Sequence, residues 1–233
     1  MRLDKFFSEQ KLLSRKEVVE CLKKGQITVN GAVVKKNDLK VDENKDVIAL
    51  RGEVIRYKKF VYILLNKPAG YVSATEDTRD KTVIDLLPEH LQKLDLFPCG
   101  RLDKDTVGLV ILTNDGASAH NALSPKHHVE KKYYFRTADP YLDEDIKAIE
   151  GGITLADGYT TKPCSIAREG KKEGYITLTE GKYHEIKRLF GARKNKIVFL
   201  QRVSFSAITL GDLPEGEWRY LTDEEESIFA GKQ

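Results

Sequence analysis

Five short runs of β-type residues, at 60–65, 107–112, 132–136, 175–179 and 197–201, occupy the second part of this 233-residue chain, and two helices are expected around 142–150 and 184–191. Strands that do not alternate regularly with helices predict an α+β domain on a mixed, mainly antiparallel sheet. A chain of this length exceeds the usual single core, so a second, smaller unit is expected beside that one.

Residues 1–50 supply it. Leu3, Phe6 and Phe7 recur at helical spacing. Ser14-Arg15-Lys16-Glu17 is a capping box that opens a second helix, with Val18, Val19 and Leu22 as its apolar stripe and Gly25 as its stop. Ile27-Thr28-Val29 and Ala32-Val33-Val34 then flank Asn30-Gly31, the dipeptide suited to a type I′ turn because both central residues need positive φ. A further strand is expected around residues 47–50. Residues 51–59 read as a charged linker, and residues 60–233 as the larger domain.

The overall charge of +3 is unevenly spread. Residues 1–58 carry 14 Lys/Arg against 9 Asp/Glu, whereas residues 212–233 carry 2 against 7. A basic front module suits a polyanionic partner, and a plain solvated lysine face is the alternative. No apolar run approaches a membrane span and the N-terminus lacks a signal-peptide core, so a cytoplasmic protein without membrane association is expected. Cys21, Cys99 and Cys164 are too scattered for a zinc site and read as reduced, structural thiols.

Four clusters carry possible chemistry. Asn66-Lys67-Pro68-Ala69-Gly70 ends a strand in a sharp turn that either aims Lys67 into a cleft or leaves it on the surface. Gly100-Arg101-Leu102-Asp103-Lys104-Asp105-Thr106 is a polar loop entering an apolar strand, which places a carboxylate at a sheet edge. Local backbone capping, or a metal-binding Asp103/Asp105 pair, would also explain it. Ser124-Pro125-Lys126-His127-His128 leads to Tyr133, a ring able to stack on a base. Seven cations between Lys182 and Arg202 read as a phosphate-contacting surface.

Together these clusters resemble the bacterial small-subunit ribosomal RNA pseudouridine synthase A subfamily, with an N-terminal S4 RNA-binding domain ahead of a pseudouridine synthase domain. Arg2-Leu3-Asp4-Lys5, Ser14-Arg15 and Val29-Asn30-Gly31 are similar to the S4 domain. Asn66-Lys67-Pro68-x-Gly70, Gly100-Arg101-Leu102-Asp103-x-x-Thr106-x-Gly108-Leu109, Lys132-Tyr133 and Gly181-x-x-His184-x-x-Lys187-Arg188 are similar to the synthase motifs. Glu185 and Leu189 stand where the family's glutamine and methionine are expected. The resemblance implies Asp103, Tyr133 and Lys187 as catalytic residues and Lys67, Arg101, Leu102, His184, Arg188 and Leu200 around the substrate. It implies Arg2, Lys5, Arg15, Lys16, Lys23 and Lys24 as contacts to RNA, and neither metal nor cofactor.

The reaction so implied breaks the bond from ribose to a uracil nitrogen, turns the base and rejoins it through carbon. It requires a nucleophile or base, a hydrophobic slot for the detached base, and a flipped-out nucleotide costing a few kcal/mol to unstack. Asp103 would act beside the Lys187 ammonium, which offsets the penalty of burying a charge. Attack on the sugar, attack on the ring and abstraction of a sugar proton are all open to it. Tyr133 would lie under the uracil and Leu200 would close the pocket. The expected substrate is 16S rRNA, of the uridine-516 type, within a small-subunit assembly intermediate, modified by a monomer. The alternatives are a 23S rRNA target, a catalytically silent RNA-binding assembly factor, and a metal-dependent sugar transferase.

Overall fold

In the computed structural model, which describes every residue except Arg56, Pro125, Lys126, Lys232 and Gln233, Asn30 and Gly31 take φ of 52° and 80°, as the turn between them requires. They join β1 (Ile27–Val29) to β2 (Ala32–Val33). β3 (Ile48–Leu50) pairs antiparallel with the other edge of β1. The fourth strand, β4 (Glu53–Ile55), falls inside the stretch expected as a linker and extends the sheet to the order β2-β1-β3-β4. Its residues carry the charge of a connector because the strand lies at the sheet edge, where Glu53 and Val54 remain exposed. Arg56 of the same stretch lies outside the described residues.

Two helices cover this sheet, α1 (Leu3–Glu9) and α2 (Arg15–Lys23). The capping box at the start of α2 is complete: the Glu17 N–H donates to Ser14 Oγ and the Ser14 N–H donates to the Glu17 carboxylate at 2.7 Å. Leu3, Phe6, Phe7, Val18, Leu22, Ile27 and Ile48 form the core. This first unit comprises residues 1–61 with 88–95, the latter contributing α3 (Glu89–Gln92).

The second unit, residues 62–87 with 96–233, is built on a nine-stranded sheet. Its strands are β5 (Tyr62–Lys67), β6 (Phe97–Cys99), β7 (Val107–Thr113), β8 (Lys131–Thr137), β9 (Ser165–Arg168), β10 (Glu173–Leu178), β11 (Ile197–Phe205), β12 (Ile208–Thr209) and β13 (Trp218–Tyr220). The main path runs β13-β5-β7-β11-β8-β10-β9, with β6 on β7 and β12 on β11. Every pairing is antiparallel except β7 with β11, which gives the mixed, mainly antiparallel sheet expected from the spacing of the runs.

β5 and β7 are buried at every position, because both faces of the sheet are covered there. Leu64, Leu109 and Ile111 share a core with Ala119 and Ala122 of α4 (Gly116–Leu123) and Phe229 of α7 (Asp223–Ala230). Elsewhere Phe190 of α6 (Glu185–Ala192) packs on Phe135 of β8 with ring centroids 4.7 Å apart, and α5 (Asp143–Glu150) lies near β9. Among the described residues no helix is long and apolar enough to cross a membrane. The three cysteines are free thiols; Cys21 and Cys99 are buried and Cys164 is half-buried.

The lone parallel pairing depends on Gly108. Its φ is +102°, and a Cβ there would lie 2.3 Å from the Arg202 carbonyl oxygen of β11. Gly108→Ala combines left-handed strain with a backbone clash, so it is expected to cost roughly 2–4 kcal/mol. At roughly 2–4 °C per kcal/mol for a chain of this size, thermal unfolding should drop by about 5–15 °C. A melting curve matching that of the parent protein would show that β7 and β11 need not approach so closely.

Candidate active site

The loop between β6 and β7 presents Asp103, and its backbone is tied down from one side by the segment that leaves β5. Lys67 is fully buried, and its ammonium donates to the carbonyls of Thr106 at 2.7 Å, Pro68 at 3.1 Å, Asp103 at 3.1 Å and Lys104 at 3.2 Å. The Gly70 N–H donates to the Lys104 carbonyl, and Ser73 Oγ exchanges hydrogen bonds with both the N–H and the carbonyl of Leu102. Burial pushes the Lys67 pKa down to about 8 against the pull of Asp105 and Asp103. Lys67 is therefore neither a surface lysine nor a lining group of the recess, as substrate contact would require. It is a strut beneath the loop, because carbonyl dipoles turned inward need a donor.

The Asp103 carboxylate meets the start of α6. Lys187 Nζ lies 2.9 Å from Asp103 Oδ2 and 2.5 Å from Asp105 Oδ1, and His184 Nε2 lies 3.5 Å from Asp103 Oδ1. The Asp103 side chain is 27% exposed and the Lys187 side chain 23%, so the pair sits partly sheltered. Burial lowers the Lys187 pKa, but hydrogen bonds to the two aspartates outweigh it and the net direction is up. Burial raises Asp105, and the Lys187 hydrogen bond and charge turn the net shift downward. The two aspartates thus share an ammonium, where a metal-binding pair would need a cation of its own.

His184 itself stands at φ 48°, a left-handed conformation rare for a residue with a side chain, with the Tyr183 ring stacked on it at 3.9 Å. These groups open onto a recess of about 80 Å3. Of the residues expected there, Asp103, Tyr133, Lys187, Arg101, Leu102, His184 and Leu200 all line it. Arg188 does not: its guanidinium donates to Asp157 at 2.6 Å. Thr106 also lines the recess, buried, with a hydroxyl that has no hydrogen-bond partner.

The expected cationic surface from Lys182 to Arg202 is largely committed elsewhere. Arg193 pairs with Asp145 at 2.7 Å, Lys187 and Arg188 hold the carboxylates described above, and Arg202 is only 1% exposed. Lys182, Lys194 and Lys196 remain exposed. Sequence spacing could not reveal this, because the acids that quench these charges come from distant segments. In the first unit, Arg2 forks onto Asp4 at 2.8 and 3.0 Å and Lys5 lies 3.5 Å from Glu9. Arg15, Lys16, Lys23 and Lys24 are exposed without ion pairs among the described residues. The motif at 124–128 includes Pro125 and Lys126, which lie outside the described residues.

Glu180 and Glu185, which also line the recess, form a pair that the sequence did not announce. Glu185 is 4% exposed; its Oε2 accepts the Lys182 N–H at 2.7 Å, and its Oε1 has no donor. The Glu180 carboxyl lies within hydrogen-bonding reach of it and accepts the Lys162 N–H at 2.7 Å and the Tyr159 hydroxyl at 2.5 Å. Burial first, and Glu180 second, push the Glu185 pKa from its ordinary 4.5 up to about 7. A proton held on this pair below about pH 7 would satisfy the orphaned oxygen.

Because the folded state holds this proton more tightly than the unfolded chain, its stabilisation is complete below pH 4.5 and is lost as pH rises through about 7. Glu185→Gln supplies a permanent N–H donor to Glu180. It is expected to be more stable than the parent above pH 7 by on the order of 1–3 kcal/mol, with the advantage vanishing toward pH 4.5. Urea denaturation at pH 5 and pH 8 reads the difference, and a pH-independent gap would remove the shared proton.

Comparison with known proteins agrees with this geometry. Residues 61–192 match the family model for RNA pseudouridylate synthase, and residues 1–47 match that for the S4 domain. An uncharacterized RNA pseudouridine synthase of Bacillus subtilis is 42% identical over 97% of this chain and 96% of its own length. The ribosomal small subunit pseudouridine synthase A of Pasteurella multocida is 40% identical over 98% of this chain and 99% of its own. The enzyme of the same name from Escherichia coli is 37% identical, with 97% and 98% covered. A crystal structure of a pseudouridylate synthase superposes with a TM-score of 0.70 at 35% identity, covering 98% of this chain and 99% of that one. With matches of that depth along nearly its whole length, the chain belongs to the RNA pseudouridylate synthase family, whose members are isomerases.

Proposed function

We propose that this protein converts a uridine of 16S ribosomal RNA, of the uridine-516 type, to pseudouridine, with Asp103 as the catalytic carboxylate. The observation that carries the reading is the Asp103–Lys187 ion pair at 2.9 Å in a recess walled by Tyr133 and Leu200. The small-subunit target rests on the relatives from Pasteurella multocida and Escherichia coli, named for that subunit.

The reaction breaks the C1′–N1 bond, forms a C1′–C5 bond, releases the proton on C5 and places one on N1. Nothing external is consumed. Lys187 neutralises and orients the carboxylate while leaving Oδ1 toward His184 and the recess. The Tyr133 ring and the Leu200 side chain, both buried, offer the flat and apolar surfaces that keep a detached uracil in place. Lys67 keeps the Asp103 loop from shifting, since displacement of about 1 Å at a reacting group costs on the order of 100-fold in rate. Arg15, Lys16, Lys23 and Lys24 on α2 contact RNA phosphates. The protein acts in the cytoplasm, as a monomer, on an assembling small subunit.

Asp103→Asn is expected to bind small-subunit transcript within a few-fold of the parent while pseudouridine formation falls by at least about 1000-fold. Chemical mapping of pseudouridine in the transcript and in assembly intermediates measures this, and an unchanged rate would remove Asp103 from the mechanism. Replacing Arg15, Lys16, Lys23 and Lys24 together with glutamine should weaken RNA binding and flatten the salt dependence. At about 0.7 per phosphate contact for single-stranded RNA, the slope of log affinity on log salt should lose up to about 3. An undiminished slope would take α2 out of the RNA interface.

A further inference from the structure

Beside the catalytic recess lies a second cavity, of about 260 Å3, that shares Arg101, Tyr133, Glu180, Gly181 and Lys182 with it as walls. Two cations from neighbouring strands, Lys131 of β8 and Arg202 of β11, are among its lining residues. Arginine is rarely so buried without a partner carboxylate, because removing its charge from water costs several kcal/mol. Yet Arg202 is 1% exposed, its Nε donates to the Leu109 carbonyl at 2.6 Å, and its buried Nη2 has no hydrogen-bond partner among the described residues.

Lys131 compounds the imbalance. Its ammonium donates to the Val129 carbonyl at 3.0 Å, and neither cation forms an ion pair with a carboxylate among the described residues. Burial first, and the Arg202 charge second, lower the Lys131 pKa, which is the signature of two like charges held together in a sheltered place. The acids that face the pair are engaged: Glu180 of the cavity wall accepts from Tyr159 and Lys162, and Glu185, whose charge acts on Lys131, accepts from Lys182. What the two cations lack, among the described residues, is a carboxylate bound to either of them.

We propose that Arg202 and Lys131 receive one phosphodiester of the RNA strand, next to the nucleotide whose base enters the Asp103 recess. Both side chains are pure donors, so the group they recognise presents acceptors only, and their joint charge selects an anion over a neutral base edge. A strand delivering a uridine to the recess carries a phosphate on either side of that nucleotide, and the shared walls put the second cavity within its path. The inference rests on the RNA-modifying function proposed above.

The test uses the full-length chain with Lys131→Met, which keeps the apolar stem, and Lys131→Arg, which keeps the charge; melting curves establish that both fold. The probes are small-subunit transcript and a set of short RNAs holding one uridine, each with a single uncharged methylphosphonate linkage. Lys131→Met should lower the salt slope on the transcript by about 0.7 and Lys131→Arg should restore it. In the short RNAs, one linkage adjoining the uridine should weaken binding to the parent about tenfold and leave Lys131→Met unaffected. An unchanged slope in folded Lys131→Met, or equal sensitivity of parent and variant at every linkage, overturns the subsite. So does a loss that follows removal of a neighbouring base instead of a charge. These are binding measurements. A subsite that passes them while no pseudouridine appears in rRNA would leave the anion site standing and the rRNA assignment fallen, and the reverse pattern would do the opposite.

Discussion

The close approach of β7 to β11 at Gly108 is the constraint on which the rest of the second unit depends. The Asp103 loop runs directly into β7, and α6, which bears His184 and Lys187, runs directly into β11. Pairing those strands in parallel, with Val107 opposite Gln201 and Gly108 opposite Arg202, brings two segments more than 80 residues apart to the same end of the sheet. The 2.9 Å contact of Asp103 with Lys187 is a consequence of that register. A side chain at position 108 would meet backbone, which cannot move aside as a flexible side chain can.

Around this junction the protein handles its buried cations in three different ways. Lys67 is solvated by four inward-facing carbonyls and so stiffens the Asp103 loop. Lys187 is shared by two carboxylates, one of which faces the recess. Arg202 and Lys131 have one backbone carbonyl each and both lie 5.6 Å from the centre of the Phe205 ring, with no carboxylate partner among the described residues. A folded protein close to its stability limit tolerates unpaired charge chiefly where function uses it, so the third arrangement is the one that carries the proposed phosphate subsite, whereas the first is scaffolding and the second holds the carboxylate that faces the recess. The Glu180–Glu185 pair is the acidic counterpart, in which a proton does what a cation does elsewhere.

The capping box before α2, the Asn30-Gly31 turn and the strands β1, β2, β3, β5, β7, β8, β10 and β11 were legible because each follows from residues a few positions apart, whereas β6, β9, β12 and β13 and the helices α3, α4 and α7 did not stand out. The Asp103 loop and the α6 start were legible as motifs, through the resemblance they carry. The strand Glu53–Ile55 was not, since an edge strand needs no apolar alternation to pair on one side. Nor were the partners of Arg188, Arg193 and Lys67, which lie across the fold from them. A run of cations reads the same whether its charges meet water, a carboxylate or a carbonyl.

By itself, then, the amino-acid sequence determined the local elements, the α+β class and the family, all of which are encoded in short-range spacing of residue types. Only the tertiary structure decided that Lys67 is buried, that Asp105 joins Asp103 on one ammonium, that burial beside Glu180 raises the Glu185 pKa, and that Arg202 lies beneath a cavity instead of on the surface. Charge and burial are properties of what surrounds a side chain in space, and for these residues the surroundings are assembled from strands and loops tens of residues away.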